Sequence, residues 1–98
     1  LYPQPKDKVQ FEGDYVLHLA MLHQALHIPK TDELPYTVTK FTAVGDEIPK
    51  YYQMFSMLFS SINALQKILA SEEMRRVAND AVRISSGGTP SILIGVDD

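Results

Sequence analysis

The sequence predicts an all-α fold: a small bundle of three to four helices between an extended N-terminal arm and a short apolar, strand-like C-terminal arm. Three observations predict it. Tyr51, Phe55, Leu58, Ile62, Leu65 and Leu69 step by four, three, four, three and four, the rhythm of one helical face. Tyr15, Leu19, Leu22 and Leu26 keep the same rhythm earlier in the chain. Ser71 followed by Glu72 and Glu73 reads as a helix start, a capping hydroxyl with acidic residues against the positive end of the dipole. The competing class is α+β, in which residues 36–44 pair with the apolar run 91–96.

Residues 1–12 are expected to form an extended arm, because Pro3 and Pro5 hold the backbone open. The helical domain spans 13–84. Its first helix is expected at Asp14, whose carboxylate can cap the next turn, with Gly13 permitting the entry. Pro29 stops it near His27. Lys30 to Pro35 is a loop. Tyr36 to Val44 holds β-prone Thr37, Val38, Thr39 and Thr42. Leu34, Val38, Phe41 and Val44 also fit helical spacing, and Gly45 stands where a C-cap would. Asp32-Glu33-Leu34-Pro35 echoes Asp46-Glu47-Ile48-Pro49, acidic residues and proline suited to a helix start. The segment is therefore read as a short helix.

The central helix is expected from Pro49 to Leu69, widened by Tyr52, Met54, Met57 and Phe59. It breaks before Ser71, and a further helix turns Met74, Val77, Ala78 and Ala81 inward. Residues 85–90 are a Ser/Gly linker. Residues 91–98 are the C-terminal arm, with Ile92, Leu93, Ile94 and Val96 as its apolar run.

Composition narrows the function. A net charge of −3 with scattered basic residues offers no stripe for phosphate backbones, so nucleic acid is not an expected partner. The chain has no cysteine, which removes disulfides, thiolate zinc sites and cysteine nucleophiles. No signal peptide opens the visible sequence, and a soluble protein of undetermined location is expected. With Leu1 in place of an initiator methionine, it reads as a processed subunit or a domain excised from a larger protein. The stretch Tyr51–Gln66 is uncharged over 16 residues, short of the roughly 20 that span a bilayer.

Few residues suggest chemistry. His23 and His27 lie four apart, a metal-ligand spacing on a helix, but Gln24 stands where a zincin carries glutamate. They are weak metal candidates, and no cofactor is expected. His18 lies about 140° around the helix from His23, at about 100° per residue. It reads as a hydrogen-bonded histidine at the core edge that could titrate near neutrality. Ser56, Ser60 and Ser61 lack a nucleophile elbow and read as small residues admitting a neighbouring helix. Ser85-Ser86-Gly87-Gly88 lacks the lysine and the strand–loop–helix order of a phosphate loop.

The expected function is therefore a non-enzymatic helical interaction or assembly module. Its partner is another protein chain or a second copy of itself. The contact surface is expected at Tyr52, Met54, Met57, Phe59, Ile92, Leu93 and Ile94, because methionine and aromatics make adaptable contacts. Two alternatives stand beside it: a small helical protein holding an apolar ligand or lipid, and a metal site at His23 and His27.

Overall fold

The computed structural model describes residues 1–28 and 34–96. The helix stop at Pro29, the Asp32-Glu33 half of the tetrapeptide echo and the Asp97-Asp98 end lie outside the described residues. In chain order the elements are β1 (Tyr2–Pro3), α1 (Lys8–Leu26), β2 (Tyr36–Lys40), β3 (Tyr51–Met57), α2 (Ile62–Ala70) and α3 (Glu72–Ile84). The three strands form one antiparallel sheet in the order β1-β3-β2. The architecture is α+β, which overturns the all-α bundle.

The central correction falls on 49–69. Tyr51–Met57 is the middle strand, and a helix begins only at Ile62. The physical reason is a degeneracy of phase. A step of four residues returns to the same face in a helix and also in a strand, whose period is two. Tyr51 and Phe55 therefore satisfied both patterns, and aromatic β-propensity decides for the strand. Ile62, Leu65 and Leu69 continue the rhythm in a separate helix. Ser61 is its N-cap, its Oγ accepting from the Ala64 amide at 3.1 Å, rather than a spacer for a neighbouring helix.

The second correction concerns 36–44. Tyr36–Lys40 is a strand, as its β-branched residues favour, and pairs with β3 from Tyr36 opposite Met57 to Lys40 opposite Gln53. Its partner is β3 and not residues 91–96. Gly45 caps no helix; it turns the chain at φ 66° beside a bridge between Val44 and Glu47. That positive φ suits glycine.

The helices differ less from expectation. α1 starts six residues before Asp14, capped by Asp7, whose carboxylate accepts from the Gln10 amide at 3.0 Å. It closes on His27, a non-glycine residue in the left-handed region at φ 54°. Ser71 ends α2 and starts α3: its hydroxyl donates to the Ile68 carbonyl at 2.8 Å and accepts from the Met74 amide at 3.2 Å. Val77 is buried, Met74 and Ala81 half-buried, and Ala78 exposed.

α1 and α3 lie side by side over one face of the sheet. Between them sits a mostly aromatic core of Tyr2, Phe11, Tyr15 and Ile84, joined by Leu19, Val38, Tyr52 and Ala81. Tyr2 meets Phe11 and Tyr15 edge-on at 5.3 and 5.7 Å, and Phe11 stacks on Tyr15 at 5.6 Å. These are the offset and edge geometries that ring quadrupoles favour.

Candidate functional site

Two regions of this fold can do more than hold it together: a polar seam where the helices meet the sheet, and the C-terminal arm.

The seam begins at His18 on α1. The residue is only 6% exposed, and its Nδ1 lies 2.9 Å from Oδ2 of Asp80 on α3. Asp80 is partly buried, its side chain 10% exposed, and its Oδ1 accepts from Arg83 Nε at 2.8 Å. Burial pushes the Asp80 carboxyl up, but hydrogen bonds from Arg83 and His18, with their charges, outweigh it and hold it below the usual aspartate value. The imidazole lies 5.6 Å from the Tyr15 ring. Tyr2, beside the pair, has its hydroxyl pushed up to about 12 by burial and then by the Asp80 charge.

A second polar group closes the other end. Glu12 Oε1 accepts from Lys40 Nζ and, at 2.5 Å, from the Tyr52 hydroxyl. Lys40 also donates to Gln53 Oε1 at 2.8 Å. Those bonds hold the Glu12 carboxyl low and raise Tyr52. Tyr52 arrives there through a β-bulge. Tyr2 faces Gln53 and Pro3 faces Tyr51, so Tyr52 has no partner on β1. A bulge re-aims one side chain, and here the Tyr52 ring meets Phe11 edge-on at 5.6 Å, on the helix side.

Between these groups the Tyr15 hydroxyl and the Gln53 amide lie near each other, but neither Tyr15 Oη nor Gln53 Nε2 makes a well-formed hydrogen bond among the described residues. Gln53 is fully buried. Burial above all, then the neighbouring Tyr2 and Tyr36, pushes the Tyr15 hydroxyl well above its ordinary value, against the pull of Gln53. Sealed polar groups of this kind are uncommon and cost free energy.

The arm is the other region. Ser91 exchanges two backbone hydrogen bonds with Leu1, each 2.9 Å, beside the β1 edge of the sheet. Beyond it Ile92, Leu93, Ile94 and Val96 are 81%, 80%, 62% and 73% exposed.

The structure divides the expected contact surface. Ile92, Leu93 and Ile94 form one exposed run. Tyr52, Met54, Met57 and Phe59 are half-buried and lie on no common helix face, since 51–57 is a strand. Met57 pairs with Tyr36 on the helix side, Met54 with Thr39 on the opposite side, and Tyr52 is engaged with Glu12. Of the weak metal candidates, His23 Nε2 lies 2.6 Å from the Tyr36 hydroxyl, and His27 caps the helix. Among the described residues no three histidine, aspartate or glutamate side chains gather as a metal site would require. No described helix is long and apolar enough to cross a membrane.

Sequence reasoning placed His18 at the core edge but missed its partner. Asp80 lies 62 residues away, and only the packing of α3 on α1 brings the two together. The signal present was one aspartate on the polar flank of a helix otherwise turning Val77 and Ala81 inward.

No protein-family model matches the chain. No curated protein matches it either. Among solved structures it is similar to an ethyl tert-butyl ether degradation (EthD) family protein from Bacillus halodurans C-125, 25% identical, with a TM-score of 0.79. The match covers 100% of this chain and 93% of that one, so the likeness extends over the whole ferredoxin-like arrangement of helices and sheet.

Proposed function

We propose that this α+β domain works by assembly, and that its partner is a second copy of the chain. One observation carries the proposal: Ile92, Leu93, Ile94 and Val96 stand in water at 62–81% exposure next to an open sheet edge. Four neighbouring apolar side chains left in water forgo roughly 1.5–3 kcal/mol each. An apolar run of this kind marks a contact surface. A second copy fits because the apolar run carries no charge from Ser91 to Val96, so identical runs can meet in a two-fold contact that leaves Asp97 and Asp98 beyond it. The two hydrogen bonds between Ser91 and Leu1 also start a ladder that the arm could continue with another strand.

Sedimentation equilibrium of the intact chain tests this. A dimer is expected, and Ile94→Lys, at an exposed site, is expected to return it to monomer without changing the fold. A wild-type chain that stays monomeric throughout the micromolar range sinks the proposal.

A second reading is favoured by the partly buried His18–Asp80 pair together with the full-length likeness to an EthD-family protein. In it, the domain handles a small organic molecule beside that pair. The contact role and the chemical role use different surfaces and are compatible. Amide chemical shifts recorded while small alcohols, ethers and phenols are added test this second role. Perturbation centred on α1 and α3 is expected, and a spectrum indifferent to all three removes it.

A further inference from the structure

We infer that His18 is a proton acceptor for a small, neutral hydroxyl compound of the phenol type, and that Asp80 is the residue that positions it. This rests on the second reading above and gives it a chemistry.

The inference begins with the two imidazole nitrogens. A neutral histidine carries one N–H donor and one bare acceptor. Nδ1 faces the Asp80 carboxylate at 2.9 Å, and a carboxylate only accepts, so the proton sits on Nδ1. Asp80 cannot easily turn away, because Arg83 holds its other oxygen at 2.8 Å. Nε2 is thereby left as the bare nitrogen, with no hydrogen-bond partner among the described residues. This is the division of labour in which a carboxylate fixes a histidine's tautomer while the far nitrogen accepts a proton.

The surroundings select the ligand class. A bare Nε2 asks for a donor, such as a hydroxyl. The Asp80 and Arg83 charges cancel, so a neutral His18 leaves no net charge there to attract an ion. A charged ligand would be desolvated without compensation. The neighbouring core side chains are aromatic: Tyr15 lies 5.6 Å from the imidazole, with Phe11 stacked on it and Tyr2 set edge-on. An aromatic neighbour beside the imidazole favours contact with a small ring.

The step balances without a co-reactant. The ligand O–H bond breaks and its electron pair stays on oxygen. The proton forms the Nε2–H bond, and the resulting imidazolium is ion-paired with Asp80. Reversal returns the proton to the ligand.

Nitrogen-15 NMR of the wild-type imidazoles, with 4-nitrophenol as the probe, tests the inference. The His18 spectrum is expected to show Nδ1 protonated and Nε2 bare. Added 4-nitrophenol is expected to move the Nε2 resonance towards the protonated position and to raise phenolate absorbance above the buffer value. Asp80→Asn is expected to abolish the phenolate signal while amide shifts still report binding. A purely packing role for Asp80 would leave that signal unchanged. A His18 protonated on Nε2, or a bound phenol that leaves Nε2 unmoved, overturns the inference while the second reading survives. If 4-nitrophenol moves no resonance at all, the inference falls. If alcohols and ethers also move none, the second reading falls with it. The tautomer measurement uses wild-type protein and so does not depend on the variant folding.

Discussion

A double-mutant cycle on His18 and Asp80 probes the pair most directly. Asp80→Ala leaves a buried Nδ1–H without an acceptor, and His18→Ala leaves the carboxylate with Arg83 alone. A hydrogen bond to a charged group contributes about 1.5–3 kcal/mol net, because part of its strength replaces bonds to water. Here water has little access: the two side chains are 7% and 10% exposed. A coupling of about 1–3 kcal/mol is therefore expected, within the usual range for residues in contact. The internal standard is Glu72–Arg76, an i,i+4 pair at 3.3 Å with side chains 77% and 69% exposed. Solvent screens such a pair to roughly 0.3–0.5 kcal/mol. Urea unfolding followed by far-UV circular dichroism at neutral pH measures both cycles. A His18–Asp80 coupling no larger than that of Glu72–Arg76 refutes the reasoning. The pH sign follows from the depressed Asp80 carboxyl. A group whose folded value lies below its unfolded one stabilises above the unfolded value. That contribution is lost as pH falls through the folded value. The coupling should hold at neutral pH and vanish below the ordinary carboxylate range.

Two glycines should respond with opposite signs. A Cβ on Gly87 would land on the Gln4 carbonyl, with its carbon only 2.8 Å away, so Gly87→Ala should cost about 1–3 kcal/mol as backbone is forced apart. Gly13 lies in α1 with nothing within 4 Å of a new Cβ, so Gly13→Ala should add about 0.5–1 kcal/mol of stability. Thermal melting reads both, and a shift in the same direction contradicts the packing described. Phe11→Ala removes a ring that is 1% exposed at the centre of the aromatic core and should cost about 3–5 kcal/mol in denaturant unfolding. A loss below about 1 kcal/mol, against a usual total of about 5–15 kcal/mol, would mean the core lies elsewhere.

The sequence disclosed the helices better than the sheet, for identifiable reasons. Ser71-Glu72-Glu73 is a local signal, with cap and dipole complement lying within one turn, and it was read correctly. Tyr51 to Met57 reads as helix in the sequence and folds as a strand because a step of four cannot separate the two periodicities, whereas Ile62 to Leu69 is helical as expected. The stronger clue, Tyr51-Tyr52 with Phe55, was a propensity and easily overridden by pattern. Tyr36–Lys40 has half-buried residues at 36, 38 and 39, so it lacks clean alternation. Its strand identity is settled only by β3 beside it. The site was less visible still. His23 and His27 drew attention through spacing, yet His23 meets Tyr36 from β2. Glu12, Lys40, Tyr52 and Gln53 come from three elements. Tyr52 reaches the helix side through a bulge that no spacing in the chain announces.

The bulge also connects the fold to the seam. Regular alternation would have put Gln53 and Tyr52 on opposite faces of β3. The bulge brings Tyr52 towards Phe11 and Glu12 while Gln53 remains paired with Tyr2 and Lys40. Two polar side chains thus enter the same layer from adjacent positions. Lys40 engages one through hydrogen bonding and lies 5.1 Å from the ring centre of the other. That crowding gives Glu12 its two donors and leaves the Gln53 amide nitrogen without an acceptor among the described residues. An apolar layer would be the simpler way to join α1 to the sheet, since sealed donors each cost about 1–3 kcal/mol. A chain of 98 residues with only six buried hydrophobic residues among those described has little stability to spare for such groups. The tautomer of His18 is therefore the informative measurement on this seam.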